Sequence, residues 1–380
     1  MEAETTQNNH TINSPTLFMA LELSNTKWRL GFTIGLGQPP RLRKLEAGNL
    51  DGLMEEICLS KKRFGLSAAA AVMSCYEAGR EGCWLHRDLI AQGVLNHVVD
   101  SASIEVNRRK RRAKTDRIDV GKLLTMLVRS AQGESKVWSV VNPPSPEEED
   151  QRQLHRDLLA LKRERPHHIN RIKGLLASQG IKMGIKTDFL TQLEAVRLWD
   201  GSRLGDGMRN RLEREHQRYQ LVHTQIRQID QLRREAIRNG DTPALEQVRH
   251  LLRLKGIGIN SAWVYVMEFF AWRNFRNRRE VGALAGLAPT PYQSGDGSRE
   301  QGISKAGNRP VRAMAIEIAW AWVRHQPESA LSIWYQKRFG HGNSRIRRIG
   351  IVALARKLLI ALWRYLEFGV IPEGAQFKQA

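Results

Sequence analysis

Four acidic residues have the types and spacing that could do phosphate chemistry. Glu22 lies in an apolar strand-like run, and Glu77 falls just past a second apolar run that ends at Cys75. Asp116 and Asp119 are three residues apart in a segment with helical patterning, which puts them on one helical face. Magnesium takes oxygen ligands, and carboxylates at strand ends and on a neighbouring helix are the means by which polynucleotide-cutting enzymes hold it against a phosphate. Each acid taken singly has a plain alternative. Asp116 could cap the helix that follows Thr115, and Asp119 could pair with an arginine on a solvated face.

Directly before that pair stand Arg108, Arg109, Lys110, Arg111, Arg112 and Lys114. Five consecutive cations repel one another unless an anion answers them, so the run reads as a nucleic-acid contact rather than a merely solvated face. Further on, Gly256 and Gly258 in LLRLKGIGINSAWVYVMEF suit the tight turn of a helix-hairpin-helix element, which lets backbone amides approach a phosphate. An ordinary interhelical turn satisfies the same pattern.

The elements that must position these groups are legible in outline. TLFMALEL, KWRLGFTIG and RLRKLEAG, separated by Ser24, Asn25, Gly37 and Pro39, predict three strands in an antiparallel meander. A helix around Leu53–Lys62, the strand-like run LSAAAAVMSC, a helix from Glu81 to Gln92 and the strand LNHVVD follow, then a helix over Asp116–Ala131 and a last strand in KVWSVV. NPPSPEEED, with Pro143, Pro144 and Pro146, predicts a linker. From Gln151 to about Asn239 the apolar positions recur at steps of three and four, as at Tyr219, Val222, Ile226 and Ile229, predicting long helices in a hairpin or coiled coil. The segment with Gly201, Gly205 and Gly207 predicts the turn between them, and the chain from about Thr242 reads as mostly helical. The expected fold class is thus α/β followed by all-α. The expected partition is a disordered start over 1–15, an α/β domain over 16–146, a helical region over 147–241 and a C-terminal domain over 242–380.

Composition narrows the partner. The 380 residues carry 60 Lys and Arg against 39 Asp and Glu, a formal net charge of +21, which asks for a polyanion. No apolar run reaches the roughly 18 residues of a membrane span, so a membrane partner is not expected. The polar start MEAETTQNNHTINSPT lacks the basic and apolar regions of a secretory signal, and the expected location is the cytoplasm. Cys58, Cys75 and Cys83 lack paired spacing and read as reduced structural thiols.

The blocks LELSNTKWRLGF, CYEAGREGCWLHRDL, VVDSASIEVNRRKRRAKTDRIDVGKLL and LAGLAPTPYQSGDGSREQGISKAGNRPVR, in that order, are similar to those of the DEDD recombinases of bacterial insertion sequences. The resemblance runs from about Phe18 to Leu362 and implies an RNase H/RuvC-like N-terminal domain, a central coiled coil and a serine-containing helical C-terminal transposase domain. It places the four metal-site acids on Glu22, Glu77, Asp116 and Asp119, with Mg2+ as the cofactor. Glu22 departs from the pattern, which has Asp there. The longer side chain still delivers a carboxylate, but magnesium tolerates little distortion of its octahedron.

The same resemblance places a nucleophilic serine on Ser294 in PYQSGDG, where Gly295 would let the backbone turn sharply. Ser298 and Ser304 are nearby competitors on the residues alone, and Ser304 reads better as a cap or a phosphate contact beside Lys305. The resemblance implies an insertion-sequence transposase and recombinase that acts on donor and target DNA through a phosphoserine intermediate. It further implies guidance by a noncoding bridge RNA, as in the bridge-RNA-guided recombinases, and a homodimer or homotetramer. Two other functions stay open on the residues alone. One is a RuvC-like structure-specific endonuclease using water, with Ser294 only structural; the other is a non-catalytic nucleic-acid-binding protein from a decayed element.

Overall fold

The computed structural model describes residues 15–79, 82–104, 116–134, 137–294 and 297–379, with the side chains of 102, 116–118 and 291–301 left aside. The chain divides into two compact units, 1–144 and 145–380.

In the first unit, alternating apolar residues build a sheet buried on both faces. β1 (Thr16–Glu22), β2 (Lys27–Thr33) and β3 (Arg41–Glu46) form the antiparallel meander. After α1 (Leu50–Arg63), β4 (Ala71–Glu77) crosses over to lie parallel to β1. After α2 (Trp84–Ala91), β5 (Leu95–Val99) lies parallel to β4, and a two-residue β6 (Val140–Val141) closes the edge. The strand order is β3-β2-β1-β4-β5-β6. β4 begins later than the sequence predicts, because Leu66–Ala70 turn before the chain enters the sheet.

Period-two alternation sorts β1 between two cores. Leu17, Met19 and Leu21 face Leu53, Ile57, Leu85 and Leu89 of α1 and α2. Phe18 and Ala20, with Met73, Cys75 and Val99, face α3 (Asp116–Ala131) through Val120, Leu123, Leu124 and Leu127. Helix α3 packs so close to β2 that a Cβ on Gly31 would stand 2.5 Å from Val120 Cγ1 and 2.8 Å from Leu124 Cδ1. Only a residue without a side chain fits between that helix and the sheet.

The second unit opens where the sequence predicts a linker. Pro144 ends the first unit, but Ser145 caps α4 (Pro146–Gln151) in a reciprocal capping box with Glu148, and Pro146 occupies the first turn, where no amide is needed. Helices α5 (Gln153–Ala177) and α7 (Asp206–Asn239) form an antiparallel hairpin. Leu158 and Leu161 meet Val222, Ile226 and Ile229 near one end, and Ile172 and Leu176 meet Leu212 near the other. The glycine-rich segment between them holds α6 (Phe189–Ala195), whose Phe189 and Leu193 join the second of these clusters.

The rest of the unit packs α8 (Pro243–Arg253), α9 (Ile259–Tyr265), α10 (Arg278–Leu284), α11 (Arg309–His325) and α12 (Ala330–Tyr335) around α13 (Ser344–Phe368). Trp322, Leu354, Leu358 and Leu362 lie at its centre with no exposure. The mostly helical expectation misses one element here, an antiparallel hairpin of β7 (Pro289–Ser294) and β8 (Gly297–Ile303). Among the described residues, no helix is long and apolar enough to cross a membrane.

Candidate active site

Glu22 and Glu77 are the last residues of β1 and β4. These strands are parallel, with Leu21 opposite Tyr76, so the two glutamates follow one another's register at the carboxyl edge of the sheet. Alternation puts Glu22 on the face of Phe18 and Ala20 and Glu77 on the face of Met73 and Cys75, which is the face that α3 covers. The segment after Glu77 is held in place. Ala78 donates its amide to Val99 O at 2.7 Å, and Ser101 Oγ donates to Ala78 O at 3.0 Å.

Helix α3 brings its first turn to the same edge. Val120 lies over Gly31 and beside Arg29 and Leu30 on β2, whereas Thr125 and Val128 border a cavity with Thr33 and Gly35. Arg29 pairs with Glu22 and Thr33 with Phe18, so α3 starts at the carboxyl end of β1 and runs back along it. Asp119, half-buried, therefore stands at the Glu22 edge, and the backbone of Asp116 opens the helix one turn earlier. Burial raises the thiol pKa of Cys75, which lies below this edge and donates to Leu123 O. The thiol is an inert part of the core. Cys58 and Cys83 are likewise free of disulfides, although Cys58 is exposed.

An all-carboxylate donor set fits the oxygen preference of magnesium. Among the described residues, no three His, Cys, Asp or Glu side chains form a group that could hold a metal ion. Glu22, Glu77 and Asp119 thus share one sheet edge without closing into a ligand shell, and the side chain of Asp116 lies outside the described ones. Sequence reading passed over Arg29, which stands directly opposite Glu22 in the β1–β2 register, about 5 Å away Cβ to Cβ on the same face. Pairing two strands around the Ser24 turn is the signal that would have found it. The run Arg108, Arg109, Lys110, Arg111, Arg112 and Lys114 lies outside the described residues.

Ser294 ends β7 and pairs with Gly297 at the start of β8, so it sits at the tip of a hairpin rather than in a free loop. Its side chain and Gly295 are outside the described set. Ser304 and Lys305 stand at the opposite end of that hairpin, roughly 17 Å along the strands from Ser294. There the amides of Ser304 and Lys305 donate to Ala288 O and Gly286 O at 2.8 and 3.1 Å. Gly307, at φ 122°, lies against the backbone of Leu284, where a Cβ would come within 2.2 Å of the carbonyl oxygen. The GLAP and GISKAGN blocks are therefore two loops laid backbone to backbone. Lys305 is exposed, at φ 56°.

The GIG turn joins α8 to α9 as expected, with Gly256 at φ 82° against the backbone of Ala321. Its amides are not all available to a phosphate. Gly258 N–H donates to Ser261 Oγ at 3.0 Å, and the C-terminal segment pairs with the turn through Lys255 N to Gln376 O and Lys378 Nζ to Ile257 O.

A model of the transposase IS116/IS110/IS902 family matches residues 248–333, the stretch from α8 through the β7–β8 hairpin to α12. Over nearly its whole length the chain is 41% identical to "Putative transposase y4rJ" of Sinorhizobium fredii, covering 95% of this chain and 94% of that protein. It is 26% identical to the transposase for insertion sequence element IS1328 of Yersinia enterocolitica over 59% of this chain and 64% of that one. The first of these matches covers 95% of the chain and so reaches both units, and on that likeness this protein belongs to the IS116/IS110/IS902 family of transposases.

Proposed function

We propose that this transposase cuts and rejoins donor and target DNA with a carboxylate edge in a RuvC-like N-terminal domain and a serine nucleophile in the C-terminal domain. The observation that carries the reading is the register of β1 and β4, which puts Glu22 and Glu77 side by side on the α3 face, with Asp119 at the same edge. The order of a three-stranded meander followed by parallel β4 and β5 supports the RuvC-like assignment. The working partition is 16–146 for that domain, 147–241 for a helical region that serves assembly and 242–380 for the serine domain.

Ser294 Oγ attacks a DNA phosphorus; the new O–P bond forms as the bond to one sugar oxygen breaks, and that oxygen leaves as a free hydroxyl carrying the serine proton. Religation is the reverse attack by a hydroxyl end of another strand, which releases Ser294. Because each step exchanges one phosphodiester for another, no external energy source is needed. Glu22, Glu77, Asp116 and Asp119 would hold magnesium, which when bound would polarise the phosphate and offset developing negative charge. Exchange between two duplexes needs several active sites, which supports a dimer or tetramer. The excess of cations supports a second polyanion, a noncoding RNA that selects sites by base pairing while the protein reads backbone shape. Chemistry on cellular DNA supports a cytoplasmic location.

The test is covalent capture. Wild-type protein incubated with end-labelled element-terminus DNA and Mg2+, then denatured, should carry label through a phosphoserine at residue 294, and Ser294→Ala should carry none. Label that persists in Ser294→Ala means that another side chain is the nucleophile, and cleavage without any adduct returns the protein to the water-using nuclease.

A further inference from the structure

From Ser329 to Leu366 the chain carries eight Lys and Arg and no Asp or Glu. Five of these cations, Lys337, Arg338, Arg345, Arg347 and Arg348, crowd around one tight junction. After α12 the helix widens into a π-helical turn over Gln336–Gly340, and after three residues α13 begins, with Asn343 accepting from the Ile346 amide. The junction is closely packed. Tyr335 Oη donates to Arg347 O at 3.4 Å, and Phe339 packs onto Gly350 so closely that a Cβ there would stand 2.4 Å from the ring. Trp334 and Phe339 stack edge to face at 5.6 Å.

Every residue from Asn343 to Ile349 is exposed, and burial of α13 begins only at Gly350. A helix normally hides one face; here every residue of almost two turns is exposed, although Tyr335 reaches the Arg347 carbonyl. None of the five cations makes an ion pair among the described residues. Ile346 and Ile349 are 43% and 55% exposed, so the projecting turns also present apolar surface to solvent.

We infer that the α12–α13 junction is a duplex-DNA docking surface, with the free N-terminal turns of α13 seated in the major groove and Lys337 and Arg338 on the flanking phosphates. The inference rests on the DNA-processing reading above and adds a contact surface to it. Charge complementarity selects a polyanion, because five unpaired cations within one turn-helix element have no acid of their own to meet. Width selects the form of the polyanion. A B-form major groove of about 12 Å admits a helix, whereas the deep, narrow major groove of an A-form RNA duplex does not. Ile346 and Ile349 would then lie against thymine methyl groups or sugar edges.

The measurement is fluorescence anisotropy of full-length protein on a labelled B-form DNA duplex and an RNA duplex, titrated at several salt concentrations. Arg345→Ala/Arg347→Ala/Arg348→Ala should fold with an unchanged melting temperature, since all three side chains are exposed. On DNA, the slope of log affinity against log salt should fall by about 0.9 for each phosphate that is no longer neutralised, so by about two to three in all, with affinity down at least tenfold near 0.1 M salt. An unchanged slope in the variant, with wild-type binding intact, overturns this surface and leaves the transposase reading standing. Equal losses on the RNA duplex overturn the major-groove placement. Wild-type protein that binds neither duplex overturns both readings. If Ile346→Asp/Ile349→Asp dissociates an oligomer in sedimentation while leaving DNA binding unchanged, the surface belongs to a second copy of the chain and the inference fails.

Discussion

Leu21 on β1 and Tyr76 on β4 are opposite one another in parallel register, and the next residue on each strand is a glutamate. Two carboxylates so placed at a sheet edge repel unless a cation lies between or beside them. Glu22→Gln and Glu77→Gln should each reduce strand transfer by roughly 10³-fold or more, the several kcal/mol that a metal-polarised phosphate is worth, without lowering the melting temperature. Full activity in either variant, measured with saturating Mg2+, would remove that acid from the site.

Asp119→Asn and Ser294→Ala should fail for different reasons. The first weakens metal binding, so raising Mg2+ tenfold should restore part of the activity. The second lacks the attacking oxygen, and no concentration of Mg2+ should restore it. A metal titration of both variants in the same strand-exchange assay separates them; identical flat responses would argue against a metal role for Asp119.

Arg109→Ala/Arg111→Ala should weaken nucleic-acid binding evenly across sequences and reduce the salt slope by about two, because phosphate contacts carry no sequence information. A change confined to one DNA sequence would mean that these arginines read bases instead.

Glu268, 4% exposed, accepts from Arg152 Nε and Nη2 at 3.2 and 3.1 Å and from Arg156 Nε at 3.1 Å, tying the start of α5 to the π-helical turn after α9. Removing one partner of a buried pair leaves the other charge uncompensated. Glu268→Ala should cost about 3–5 kcal/mol and lower the thermal midpoint by on the order of 10 °C. A shift of a degree or less in calorimetry would show that Arg152 reaches water without it.

His155 on α5 is 2% exposed, and neither ring nitrogen has a hydrogen-bond partner among the described residues. Burial, and then the nearby Arg233 cation, pull its pKa down to about 4. In the folded protein the ring therefore stays neutral at pH values where the unfolded chain, near 6.5, takes up a proton. Stability from this group is full above about pH 6.5 and falls as pH drops toward 4, by about 3 kcal/mol in total. Urea unfolding between pH 4 and 7 should show a shallower acid loss for His155→Gln than for wild type. Parallel curves would mean that the ring is protonated or paired in the fold.

Local chemistry in the sequence determined the strands of the first unit, the caps and the sorting of faces. The alternation of β1 decides that Glu22 shares a face with Phe18 and Ala20, and the spacing of Asp116 and Asp119 decides that both begin one helix. Even the α4 start was written in Ser145, Pro146 and Glu148, although the prolines around it read more loudly as a linker. Other features depended on contacts between distant segments. Nothing local says that β4 crosses over to pair with β1 and so sets Glu77 beside Glu22, because parallel pairing joins residues more than fifty positions apart. Nothing local says that PTPYQS pairs as a strand, since Pro289 and Pro291 lack amides and sit at an irregular register that only the partner strand resolves. The burial of His155 and the exposure of the first turns of α13 were likewise decided by tertiary packing, because the same helical pattern serves a residue inside a bundle and one projecting beyond it.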